Sequence, residues 1–251
     1  MCTLLLARDV LGAGTILIAA NRDEDPSRPS EAPQVLQDSP RIVGGRDARA
    51  GGTWLAIRGG ERPAVAALLN RRPRAGAAAG SRSRGELPLR VLRAADAEAA
   101  RAEAGVIAAE NAYAPCTLLF ANASACWLLA IPHEGAPRIV DIAPGWHALT
   151  HAEINDMHEP RAHYLHTTLR GWHPPSPHTA MARMSALLAS HGGGSRPAVC
   201  LHEGPVRTVS SSRVWIGADE LRYAHVEGRP CEKAFTDQSA LLHEHARMEH
   251  A

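Results

Sequence analysis

Met1-Cys2-Thr3-Leu4-Leu5-Leu6-Ala7-Arg8-Asp9, followed after a glycine-bearing break by Thr15-Ile16-Leu17-Ile18-Ala19-Ala20-Asn21-Arg22-Asp23-Glu24, is the stretch on which the fold turns. Two short apolar runs, residues 3–7 and 15–20, are separated by Gly12 and Gly14. Apolar runs of this length bounded by turn residues read as strands, and two so close together read as a β-hairpin. The first run is shorter than the apolar region of a secretory signal, lacks a preceding basic stretch, and ends in two charges, so it reads as a strand. The hairpin sets Cys2 at the tip of one strand and a polar cluster, Asn21 to Glu24, at the end of its partner.

The pattern outward from the hairpin alternates in blocks. A polar segment carrying Pro26, Pro29, Pro33 and Pro40 reads as an ordered loop. Residues 54–58 and 64–69 form a second hairpin turned at Gly59-Gly60, and residues 71–84, rich in Arg, Gly, Ala and Ser, form a mobile loop. Residues 86–95 and 97–110, rich in Ala, Leu and Glu, give the strongest helix signal. Strands return at 117–122, 126–131, 138–142 and 147–150; helices follow at 160–169 and 178–191, then strands at 198–202, 213–216 and 222–226 and a helical tail near 239–250. Hairpins imply antiparallel sheets, and helix pairs imply cover on their outer faces. The expected architecture is α+β: a single domain over residues 1–251 in which two antiparallel sheets pack together between helical layers, an αββα sandwich.

Composition narrows the function classes. The chain has 251 residues, 45% of them hydrophobic, enough for a substantial core. Lys and Arg total 27 against 26 Asp and Glu, a net charge of +1, so no overall field draws nucleic acid or an anionic membrane. Apolar stretches fall short of the roughly 20 residues of a membrane span, so no integral membrane association is expected. Five scattered cysteines, Cys2, Cys116, Cys126, Cys200 and Cys231, show no disulfide framework, and a reducing, cytoplasmic setting is expected.

Cys2 is the leading chemical candidate. Removal of Met1 would leave one residue carrying both a thiol, with an ordinary pKa of about 8.5, and an α-amine, about 7.7–8.0. Such an amine is able to accept the thiol proton near neutrality. Arg22 would favour the thiolate through its charge, and Asp23 would orient the amine. Asn70, at the end of an apolar strand, offers an amide donor suited to an oxyanion. Each feature also has a plain alternative: a tolerated second-position cysteine, a solvated charged turn, an ordinary strand-end asparagine.

Taken together, Met1-Cys2, Ala19-Ala20-Asn21-Arg22-Asp23-Glu24, Arg28-Pro29, Gly51-Gly52-Thr53-Trp54-Leu55, Leu69-Asn70-Arg71 and Ser83-Arg84-Gly85-Glu86-Leu87 resemble the NRDE family, also called the transport and Golgi organisation protein two family. The likeness continues more loosely through Leu149-Thr150-His151, Pro160-Arg161 and Val209-Ser210-Ser211-Ser212. The resemblance implies an N-terminal-nucleophile (Ntn) hydrolase-like fold, with Cys2 as nucleophile, Arg22 and Asp23 in the Arg/Asp region (Asp25 being a nearby alternative), and Asn70 as the oxyanion donor. Asn21, Trp54, Arg71, Arg84 and His151 are the expected ligand-binding residues. His151 stands where acylase-type relatives carry an asparagine, and the arginine many relatives place near Ser210 has only Arg207 and Arg213 as counterparts. Two function classes follow from the resemblance: an amidohydrolase or acyl-transferase-like enzyme needing no cofactor, or a carrier of haem or an acyl ligand on the same fold.

All fourteen histidines lie beyond residue 132, with no His-Glu-x-x-His or Cys-x-x-Cys-His spacing, so no metal site is expected and most histidines read as surface residues. His151, His163 and Cys200 are the residues a haem would call upon. Arg71, Arg72, Arg74, Arg82 and Arg84 cluster close to Asn70, where an anionic group could dock. Cys116, Cys126 and Cys200 fall in apolar strands and are expected to be buried structural thiols.

Overall fold

The computed structural model describes residues 2–72 and 82–243. The opening hairpin is formed by β1 (Thr3–Arg8) and β2 (Ile16–Glu24), antiparallel with Leu5 opposite Ala19. Its turn requires left-handed backbone at Asp9, Gly12 and Gly14, and the Asp9 side chain accepts the Gly14 N–H at 2.7 Å. Next come β3 (Ser30–Gln37), β4 (Ile42–Asp47), β5 (Leu55–Arg58), β6 (Ala64–Asn70), α1 (Leu87–Arg93) and α2 (Ala97–Glu110). They are followed by β7 (Cys116–Asn122), β8 (Cys126–Ile131), β9 (Arg138–Asp141), β10 (Gly145–Leu149), α3 (Pro160–Leu169) and α4 (Pro177–Leu188). The described chain closes with β11 (Arg207–Ile216), β12 (Leu221–Glu227) and the short β13 (Thr236–Asp237).

The strands assemble into two antiparallel sheets. One runs β10-β1-β2-β11-β12-β13, the other β3-β4-β5-β6-β7-β8-β9. Successive strand residues point to opposite faces, and here both faces are covered. Leu4, Leu6, Ile18 and Val214 of the first sheet meet Leu55, Ile57, Val65 and Leu119 of the second in the inter-sheet core. On the outer face of the second sheet, Ala66, Leu118 and Phe120 pack against Leu87, Val91, Ala104 and Ile107 of α1 and α2. On the outer face of the first, Leu5, Leu17 and Ala19 pack against Leu165, Leu169, Met184 and Leu188 of α3 and α4. The layers therefore run helix, sheet, sheet, helix. Burial on both faces explains why β1, β2, β6 and β7 read as continuous apolar runs instead of alternating ones.

Three helices begin at side-chain caps, which satisfy N–H groups that the first turn leaves without partners. Asp96 accepts from Ala99 N–H at 2.9 Å, Glu159 from Ala162 N–H at 2.7 Å and Ser176 from Thr179 N–H at 3.1 Å. α2 ends at Asn111 in left-handed conformation.

Several elements differ from the sequence reading. The proline-bearing segment is not a loop: it supplies β3 and β4. Pro33 is tolerated because β3 is an edge strand with a register shift between Glu31 and Gln34, where a missing N–H leaves no ladder bond unmade. Residues 198–202 are not a strand, while β11 starts at Arg207, six residues earlier than the apolar run suggests. Its first half, Arg207 to Ser212, is polar because it passes Asp23 and Arg22 rather than core. The C-terminal helix shortens to a 3-10 turn at Ser239–Leu242. The remainder of that tail, and most of the arginine-rich loop with Arg74, lie outside the described residues. Among the described residues, no helix is long and apolar enough to cross a membrane.

Candidate functional site

Where the start of β1 and the end of β2 face the second sheet, a cavity of about 460 Å³ opens. Cys2, Arg22 and Ser210 line it from the first sheet, Trp54, Leu68 and Asn70 from the second. For the first-sheet residues the pleat explains the grouping; Asn70, in phase with the helix-facing Ala66 and Leu68, reaches the cavity from the exposed tip of β6. Cys2 shares a face with Leu4 and Leu6, and Arg22 shares one with Ala20 and Ile18, so both point between the sheets. Asn70 is the last residue of β6, and the loop from Gly51 to Trp54 delivers Trp54 beside it. That loop lies against Gly85: the Thr53 N–H donates to Gly85 O at 2.8 Å, which brings Ser83 and Arg84 to the cavity.

Asp23 lies on the reverse face of β2, among the residues that meet the outer helices, and is 2% exposed. Its Oδ1 accepts from Thr208 Oγ1 at 2.7 Å, and its Oδ2 from Arg161 Nη1 at 3.1 Å. Arg161 Nη1 also reaches Thr3 Oγ1 at 3.1 Å, and its Nε stands 3.8 Å from Glu159 Oε1. Burial pushes the Asp23 carboxyl up, while Thr208 and Arg161 pull it back only in part.

Burial also pushes the Cys2 thiol up. The Asp23 N–H and Arg22 oppose that shift without reversing it. Arg22 is partly committed elsewhere, since its Nη2 lies 3.6 Å from Asp47 Oδ2, which Arg28 Nε holds at 2.6 Å. The expected thiolate-promoting role of Arg22 is thus outweighed by desolvation, and the thiol needs a base to lose its proton.

His151 follows β10. Continuing the register from Leu4 opposite Leu149 brings His151 level with Cys2 on the side away from Arg22. It is 9% exposed and not among the cavity-lining residues, its Nδ1 is buried without a hydrogen-bond partner among the described residues, and burial lowers its pKa, which favours the neutral ring.

Other expected ligand residues diverge. Asn21 does not reach the cavity. It is fully buried on the outer face, where its Nδ2 donates to Leu188 O at 2.9 Å and Val199 O at 3.2 Å, tying β2 to α4. Arg71 and Arg84 line the cavity, but Arg71 pairs with Glu153 at 2.6 Å and Arg84 donates to Pro115 O at 3.0 Å. Neither Arg207 nor Arg213 supplies a second site guanidinium. Arg207 is exposed, and Arg213 lies over the Phe235 ring at 4.0 Å. Arg161 of α3 bonds Asp23 and Thr3 and is not among the cavity-lining residues. His163 is exposed on α3.

The sequence reading missed Arg161, Thr208 and His225. Pro160-Arg161 belonged to the family resemblance without a role, and nothing local marks the other two. His225 lines the cavity from β12, with Nδ1 at 2.9 Å from Ser212 Oγ and Nε2 at 3.4 Å from Glu227 Oε2. The reading also expected no metal site and placed Cys200 in a strand. Cys200 instead lies in irregular chain beside His191, His202 and Cys231.

Two antiparallel sheets face to face between helical layers form an Ntn-hydrolase-like fold. The fold matches that of the Caenorhabditis elegans N-acylethanolamine-hydrolyzing acid amidase ortholog, with a TM-score of 0.52 and 14% identity over 84% of this chain and 92% of that one. The chain belongs to the Transport and Golgi organisation 2 family, whose model matches residues 1–185. No curated protein matches it.

Proposed function

We propose that the protein is an Ntn-type hydrolase or acyl transferase acting on an amide or thioester, with Cys2 as nucleophile after removal of Met1. The observation that carries this reading is the convergence of Cys2 and Asn70, from different sheets, on one cavity, backed by the buried Asp23–Arg161–Thr208 cluster. The α-amine of Cys2 takes the Sγ proton. Sγ then attacks the acyl carbonyl. Asn70 Nδ2 donates to the developing oxyanion. The α-ammonium returns its proton to the leaving amine or thiol, and water releases the acyl group from the Cys2 thioester. Arg22, Arg28, Arg46, Arg71, Arg82 and Arg84 line the cavity alongside Glu24, Glu31, Asp47 and Glu227, so its wall offers guanidinium donors to a substrate carboxylate or phosphate.

The test has two parts. Intact mass of protein from its native host should lack Met1, and Cys2→Ala should abolish turnover across a panel of acyl amides and acyl thioesters. Asn70→Ala should lower kcat about 10²- to 10³-fold. Retained Met1, or turnover that survives Cys2→Ala, overturns the enzyme reading.

A carrier reading rests on one observation: a neutral thiol at Cys2 and an unpartnered imidazole nitrogen at His151 flank the same strand end. Thiolate and imidazole are haem-iron ligands. Stoichiometric haem binding whose visible spectrum changes in both Cys2→Ala and His151→Ala, without acyl turnover, would favour it.

A further inference from the structure

Beyond α4 the chain runs without helix or strand from Ala189 to Val206, apart from an isolated bridge. Two of its residues, Cys200 and His202, meet Cys231 from the segment after β12 and His191 from just past α4. One ligand atom from each of the four lies within 4.8 Å of the others. Cys200 Sγ and Cys231 Sγ are 3.5 Å apart as free thiols, His202 Nε2 is 3.2 Å from Cys231 Sγ, and Cys200 Sγ is 3.8 Å from His202 Nε2. The His191 and His202 rings meet edge to face with centroids 4.5 Å apart.

These distances suit a metal ion. A tetrahedral zinc with Zn–S of about 2.3 Å and Zn–N of about 2.0–2.1 Å has ligand–ligand edges of roughly 3.3–3.8 Å. The distances among Cys200, His202 and Cys231 match these edges, His191 lies within 4.8 Å of all three, and two thiolates with two imidazoles select zinc over the hard cations. The surroundings supply a support for the ligand as well. Arg229 Nη1 stands 2.7 Å from His202 Nδ1 and its Nε 3.2 Å from Glu232 Oε2, so this ion pair holds the far side of the His202 ring.

We propose that His191, Cys200, His202 and Cys231 form a structural zinc site that staples the chain after α4 to the segment after β12. Four protein ligands fill the coordination sphere, leaving no open position for chemistry. The staple acts on the candidate active site through Leu201, which lies between two ligands. Leu201 N–H donates to Thr208 Oγ1 at 2.9 Å, Thr208 N–H returns a bond to Leu201 O at 3.0 Å, and Thr208 Oγ1 holds Asp23. All four ligands lie beyond the family-matched residues 1–185.

The experiment uses the full chain, purified under reducing conditions, and does not depend on any acyl substrate. One equivalent of zinc per chain is expected by elemental analysis. Cobalt replacement should give a thiolate-to-metal charge-transfer band together with the intense visible bands of a tetrahedral ion, and chelation should lower Tm. Cys200→Ser and Cys231→Ser should each abolish the charge-transfer signature of the two-thiolate site. Because His191 is exposed, His191→Ala should fold normally by circular dichroism yet bind zinc at least about tenfold more weakly. Substoichiometric uptake by the reduced chain, a Cys200–Cys231 disulfide in protein isolated from its host, or unchanged zinc content in the double cysteine variant would overturn the proposal.

Discussion

Arg161 is held by oxygens from three elements: Thr3 at the start of β1, Asp23 on β2 and Glu159 at the cap of α3. It is 7% exposed and Asp23 is 2% exposed. A buried charge left without its counterpart is costly, typically about 3–5 kcal/mol. Arg161→Met should therefore destabilise the protein by about that amount in urea unfolding, even though methionine fills similar apolar volume, because the buried Asp23 carboxylate would lose the Arg161 guanidinium at 3.1 Å. A loss below about 1 kcal/mol would mean that Asp23 is protonated in the folded state, as its raised pKa allows. His147 offers the pH counterpart. Its Nδ1 lies 3.0 Å from Asn155 Nδ2 and its Nε2 lies 2.8 Å from Ala143 O, so the neutral ring accepts at one nitrogen and donates at the other. Burial lowers its pKa below the ordinary 6.5. The unfolded chain then takes the proton more readily than the folded one. Stability from this residue is complete above the unfolded pKa and is lost as pH falls through about 6.5 toward the lower folded value. Tm of the wild type should decline between pH 7 and pH 5, and His147→Gln should decline less steeply over the same range. Parallel profiles would show that the ring keeps its neutral form throughout.

At the scale of elements, the cavity depends on how closely two loops approach. A Cβ on Gly52 would stand 2.5 Å from Gly85 O, and the Gly52 and Gly85 backbones meet directly. Gly52→Ala should cost about 1–3 kcal/mol, as other overpacked positions do. It should also push Ser83, Arg84 and Gly85 off the cavity wall, so that KM for an anionic substrate rises more than kcat falls. Equal effects on both parameters would place the damage at Cys2 instead. The proline-bearing β3 teaches a related lesson: Pro33 reads as a loop residue because proline removes a ladder donor, yet at the sheet edge that donor has no partner to lose.

For the whole molecule, the two sheets and their helical cover were legible from the alternation of hairpins and helix pairs, because doubly covered strands carry long apolar runs and the helices carry their own caps. Cys2 and Asn70 were legible as strand-end polar residues beside such runs. Arg161, Thr208 and His225 were not, since each sits in an element whose local pattern is ordinary. Asn21 was misplaced because pattern alone does not say which face of β2 meets the cavity: it and Asp23 point to the helices while Arg22 points between the sheets.

The sequence by itself determined the first hairpin with Cys2 at its tip, the hairpin of β5 and β6, β7 to β10 and the two helix pairs. These follow from contacts between near neighbours, where periodicity and turn chemistry act directly. Only the tertiary structure decided that Arg161 bonds Asp23 across 138 residues and Thr208 does so across 185, or that His191, Cys200, His202 and Cys231 share one point. Those encounters are set by sheet register, by the two-residue pleat that assigns each side chain its face, and by helix docking, none of which is written in the spacing of the residues that meet.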